Sequence, residues 1–183
     1  MTQSPSAGIM YPKLRNKRHW NKLRPTWKGL HTLKWIMLIY KLPRSKTTAH
    51  KVATWKKLKK LGVYSIQDSV CILPYSERTL ESFEWIAAEL RDIGGEASVW
   101  EAETLTSLRE KEIREFFLDQ VNIEYGKIIQ EAGLAKDEQQ LRNLWLRYNR
   151  VKAQDYLQSP LAIEARAACE RRAQEFRKGE GSN

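Results

Sequence analysis

The segment Leu33–Pro43, LKWIMLIYKLP, constrains this chain more than any other. Trp35, Ile36, Met37, Leu38, Ile39 and Tyr40 are apolar or aromatic without alternation, and Pro43 closes the run. An extended segment of this kind is apolar on both faces, so it reads as a central strand covered on both sides. It needs paired neighbours and a layer above and below, which a chain of 183 residues can supply from one compact domain. The same run is far short of the ~20 residues a membrane helix requires.

The segments that follow supply those neighbours. Ser45 is the expected N-cap of a helix through Leu61, with Gly62 at the position that ends it. Ala49, Val52, Ala53, Trp55, Leu58 and Leu61 are its expected apolar positions, and Lys51, Lys56, Lys57, Lys59 and Lys60 its outside. VYSIQ and VCILP flank Asp68-Ser69 as a hairpin. SERTLESFEWIAAELRDIGG is a second amphipathic helix, capped by Ser76, buried through Leu80, Phe83, Ile86 or Ala87, and Leu90, and stopped at Gly94. EASVWEAETL is a fourth strand with alternating side chains.

Strand, helix, strand, strand, helix, strand is the ferredoxin-like plan, so residues 33–104 are expected to form an α+β, βαββαβ sandwich with both helices on one sheet face. Residues 105–178 follow as a C-terminal antiparallel helical hairpin or bundle, packed on the sheet or on a second subunit. Ile113, Phe117, Val121, Tyr125 and Ile128 mark one stripe, ended near Gly133, and Leu141, Leu144, Tyr148 and Val151 a second. Pro160 opens a third helix carrying Leu161, Ala165, Ala168, Arg172 and Phe176. Residues 179–183 are a frayed tail, and residues 1–32 a flexible basic arm without the apolar core of a secretory signal. Initiation nearer Met10 or Met37 is the alternative reading of that arm.

Charge is distributed unevenly along this plan. Sixteen of the thirty-two Lys and Arg residues lie within residues 1–62, which hold none of the twenty-two Asp and Glu residues. Such polarity builds a one-sided positive potential suited to a polyanion, most simply nucleic acid, with an anionic membrane surface as the competing partner. Lys51, Lys56, Lys57, Lys59 and Lys60, with Arg44 and Lys46 just before them, are the candidate DNA-binding residues; lysines contribute charge rather than base-reading geometry. Arg147, Arg150, Lys152 and Tyr148 form a candidate anion-binding set, the alternative being ion pairs along their own helix.

Catalysis finds no foothold. His19, His31 and His50 all lie in the acid-free third, and no nucleophile-elbow, phosphate-loop, zinc-protease or dinucleotide motif occurs. Cys71 and Cys169 stand apart without a CxxC, which fits a reducing cytoplasm and gives no metal site. A metal-dependent nuclease on this fold would place a carboxylate at the end of the first strand, where Tyr40-Lys41-Leu42-Pro43 stands. The chain is expected to be no enzyme and to need no cofactor.

WIMLIYKLP, HKVATWKKLKKLGVYSIQDSVCILP, FEWIAAELRDIGGEASVWEA and LWLRYNRVKAQDYLQSPLAIEARAACE resemble, in order, the N-terminal domain of the chromate-resistance regulator ChrB, from about Leu33 to Phe176. The sheet portion is also similar to the effector-side domain of phenylacetate-catabolism repressors and, more distantly, to CRISPR spacer-acquisition nucleases, whose first-strand carboxylate this chain lacks. The ChrB resemblance implies a cytoplasmic, DNA-binding, chromate-responsive regulator of a chromate-efflux operon; the expected partners are operator DNA, a second copy of the chain in a homodimer, and chromate or sulfate as effector. ChrB-type proteins usually carry a second, C-terminal domain, so the expectation is either a stand-alone member or a second function that resides on another polypeptide. Two other readings stay open: a small-oxyanion sensor without DNA binding of its own, and a helical protein-interaction module built on residues 107–178.

Overall fold

The computed structural model describes residues 33–43 and 48–180; the basic arm, Arg44, Ser45, Lys46 and the end of the tail lie outside the described residues. The elements are β1 (Trp35–Lys41), α1 (Thr48–Leu61), β2 (Tyr64–Gln67), β3 (Val70–Pro74), α2 (Glu77–Asp92), β4 (Glu96–Ala102), α3 (Ser107–Leu134), α4 (Glu138–Lys152) and α5 (Leu161–Glu180). They form a mixed α and β structure with a four-stranded antiparallel sheet in the order β2-β3-β1-β4.

β1 is interior to the sheet, with Leu38 opposite Cys71 on β3 and Val99 on β4. Successive strand residues point to opposite faces, and Trp35 and Ile36 are 1% and 2% exposed, so both faces are covered. On one face Trp35 stacks on Phe117 of α3, ring centroids 5.8 Å apart, and Tyr64 of β2 meets Phe116 edge-on at 4.8 Å. Ile36, Leu38, Cys71 and Leu73, which share the other face, belong to one core with Phe83, Ile86, Ala87 and Leu90 of α2. Ile86 and Ala87 are both buried.

Local chemistry accounts for the boundaries. Ser76 caps α2 through a capping box completed by Thr79. Gly62 ends α1 at φ +67°, a left-handed conformation. Gly95 lies so close to the chain that a Cβ there would stand 2.8 Å from the carbonyl oxygens of Leu90 and Lys41.

α1 departs from expectation. Ala49, Val52, Ala53 and Trp55 are exposed, and the helix seats through Thr54, Leu58 and, in part, Leu61. The six expected apolar positions are spread around the helix, whereas 54, 58 and 61 follow i, i+4, i+7 and fall on one face. β4 also stops at Ala102, short of Leu105, and its burial does not alternate.

α3 is 28 residues long and serves two cores. Ile113 and Phe117 join the sheet core; Val121, Tyr125, Ile128 and Ala132 join Leu141, Leu144, Tyr148 and Val151 of α4 and Ala162, Ala165, Ala168 and Cys169 of α5. Every position of the first two sequence stripes of this region is buried.

Candidate nucleic-acid interface

The outward surface of α1 follows from how little of the helix turns inward. With Thr54 and Leu58 beneath, Lys56 and Lys60 lie one turn apart on the exposed side, and Lys51, Trp55 and Lys59 form a second line at four-residue intervals. Lys59 Nζ sits 4.8 Å from the centroid of the Trp55 ring. Lys57 is turned to the flank and pairs with Glu89 of α2. Beside that pair a groove lined by His50, Ala53, Lys57, Glu89 and Asp92 brings two carboxylates close, so the positive surface ends there. Among the described residues, Lys51, Lys56, Lys59 and Lys60 have no carboxylate within salt-bridge distance.

The end of α1 is clasped from far along the chain. Gln154 Nε2 donates to the Lys60 carbonyl at 2.7 Å and Tyr156 Oη to the Leu61 carbonyl at 2.8 Å. These bonds satisfy carbonyls that a helix end leaves orphaned, and Lys59 and Lys60 in the last turn suit the negative end of its dipole. The segment supplying the clasp is itself fixed by buried Asp155, which accepts from Tyr125 Oη at 3.3 Å, Ser159 N at 2.8 Å and Lys152 Nζ at 3.4 Å.

The candidate anion-binding set does not converge. Arg147 donates to Glu131 at 2.8 and 2.9 Å and to Glu124 at 3.1 Å, so its guanidinium is already neutralised. Those hydrogen bonds, Glu131's foremost, raise the Arg147 pKa, while Glu124 is lowered by its bond to Lys127 and then by Arg147. Lys152 turns to Asp155, and Tyr148 is buried against Tyr125 and Trp145. Only Arg150 of the four is exposed without a carboxylate partner among the described residues. A cavity of about 390 Å³ between α3 and α4 includes Arg147, but Glu131 lines it too.

Two buried carboxylates, one of which the sequence does not single out, tie distant segments together. Glu110, at the start of α3, is 8% exposed and accepts from Leu33 N at 3.2 Å, Trp35 Nε1 at 3.1 Å and Thr104 Oγ1 at 2.6 Å. Asp155 is the other. The only available signal was position: Glu110 lies four residues after the Thr106 cap, on the Ile113–Phe117 face of the helix. Cys71 is buried, and burial pushes its thiol up to about 12, which removes it as a nucleophile. Among the described residues no cluster of three or more His, Cys, Asp or Glu side chains could hold a metal ion, and no helix is long and apolar enough to cross a membrane.

The family model described as "Protein ChrB, N-terminal" matches residues 51–134, from the first lysine of α1 to the end of α3. The resemblance drawn from the sequence therefore holds over that span, and its β1 block and its α4 and α5 blocks fall outside the match. No curated protein and no solved structure matches the chain.

Proposed function

From the premise that residues 51–134 form a ChrB N-terminal domain, we propose that this protein is a non-enzymatic, cytoplasmic regulator of chromate resistance that binds operator DNA through α1 and the basic arm. The observation that carries the reading is the outward face of α1, where Lys51, Lys56, Lys59 and Lys60 stand without carboxylate partners among the described residues, in a third of the chain that contains no acid. We read the sheet order, with α1 and α2 against one face, as ferredoxin-like, with α3–α5 as the bundle behind it. A homodimer matches the two-fold symmetry usual for operators, and chromate is the effector that releases the DNA.

Each lysine that meets a phosphate releases condensed counterions and steepens the salt dependence by about 0.9 in the log–log slope. Replacing Lys51, Lys56, Lys59 and Lys60 together with Ala should flatten that slope by about 3 to 4 for DNA from upstream of the protein's operon, read by fluorescence anisotropy across a salt series. Lys57→Ala should change it little, because Glu89 already neutralises that ammonium. An unchanged slope in the quadruple variant would remove α1 from the interface. Chromate added to the wild-type complex should lower affinity; sulfate serves as the control oxyanion.

A further inference from the structure

Trp55 is a residue that neither the fold nor charge neutralisation explains. It is 58% exposed, on the helix that carries the free lysines, and Val52 beside it is 43% exposed. Burial of apolar area drives folding, so a large indole left in water on a helix with little buried surface contributes nothing to the core. Its surroundings are specific. Lys51 and Lys59 lie one turn before and one turn after it, about 12 Å apart along the axis, and Lys59 Nζ lies over the ring. The indole also walls a shallow groove of about 460 Å³ whose other lining residues are Tyr40, Leu42, Lys51, Val52 and Thr54.

An exposed aromatic ring bracketed by cations on a single helical line matches one ligand chemistry well: a planar base joined to phosphates on either side. Bases stack on aromatic side chains whatever their identity, while the adjacent backbone is held by charge. The groove offers no carboxylate, and its one lining cation is Lys51. An acidic peptide would satisfy the ammonium groups without using the ring, and a lipid surface would use the ring without needing the spacing of the two lysines.

The geometry points to a base-stacking site: Trp55, with Tyr40 and Val52 at its side, takes an unstacked or unpaired nucleobase, and Lys51 and Lys59 hold the flanking phosphates. This inference rests on the nucleic-acid reading above and adds to it a preference for strand that is single or locally opened. A duplex bound only along its backbone would need the lysines and not the indole.

The test compares wild type, Trp55→Ala, Trp55→Phe and the double variant Lys51→Ala/Lys59→Ala on a fluorescein-labelled oligothymidylate about twelve nucleotides long, a duplex of equal length, and vesicles of phosphatidylserine and phosphatidylcholine. Trp55→Ala should weaken single-strand binding about 10-fold to 100-fold with its salt slope unchanged, and Trp55→Phe should retain most of the affinity. The double lysine variant should instead flatten the slope. An exposed indole can be removed without unfolding, and unchanged circular dichroism will show it. Wild-type affinity in Trp55→Ala, or a Trp55 requirement seen only on vesicles, overturns the stacking site alone. A wild-type protein that binds neither nucleic acid overturns the parent reading with it.

Discussion

Glu110 shows how much one side chain contributes here. Three donors from two separate stretches, Leu33 and Trp35 at the start of β1 and Thr104 after β4, end on its carboxylate away from water. Hydrogen bonds to a charged group contribute about 1.5–3 kcal/mol each, and losing the acceptor leaves its donors unsatisfied. Glu110→Ala should therefore lower stability by about 3 kcal/mol or more in urea unfolding, with Glu110→Gln intermediate. The two glycines separate two kinds of strain. Gly62→Ala should cost about 1–2 kcal/mol for its left-handed backbone alone, since its Cβ would meet only the Gln154 side chain at 3.5 Å. Gly95→Ala should cost more than that, because it meets two backbone carbonyls that cannot move aside. Cys71 sets an alkaline limit. The folded thiol holds its proton up to about 12, against an ordinary value of 9.0, so the stability this adds is complete below pH 9.0 and is lost as the pH climbs towards 12. Tyr125, raised by burial and then by Asp155, acts in the same direction. Unfolding midpoints should stay level through neutral pH and fall across that window; native Cys71 should resist alkylation until the protein is unfolded.

Elements that make their own amphipathic pattern are legible in the sequence alone. The stripes of α3 and α4 are long and regular, so Ile113 through Ile128 and Leu141 through Val151 all lie inside, and the double-sided β1 is an interior strand of its sheet. α1 is not legible in this way because its apolar residues point every way round a lysine-rich helix; only a neighbour decides that Leu58 goes in and Trp55 stays out. Pairings between distant segments left no local mark either. Lys57 with Glu89, and Arg147 with Glu124 and Glu131, pair cations of the candidate sites with carboxylates for reasons that local spacing does not contain. The clasp on α1 belongs to the same class: Tyr156→Phe should cost about 1 kcal/mol overall while increasing amide exchange chiefly in the last turn of α1.

Across the whole described chain, α3 is the member through which the sheet core and the helical core meet. Phe117 belongs to the first and Val121, one turn on, to the second. Phe117→Ala should remove about 3–5 kcal/mol by opening a cavity against Trp35, and a shared helix predicts that both cores are lost in one transition. Calorimetric and van't Hoff enthalpies that agree in this variant and in the wild type would establish that cooperativity.

The shallow seating of α1 has a corollary for handling the protein. A helix that rests on Thr54 and Leu58 and displays Lys51, Lys56, Lys59 and Lys60 to water offers trypsin a row of cleavable bonds in an element seated on few buried residues. The first nick in the described region should fall there, while the cysteines and the aromatic layer stay protected. A ligand lying along those side chains would lengthen the life of the intact chain, so digestion itself records occupancy.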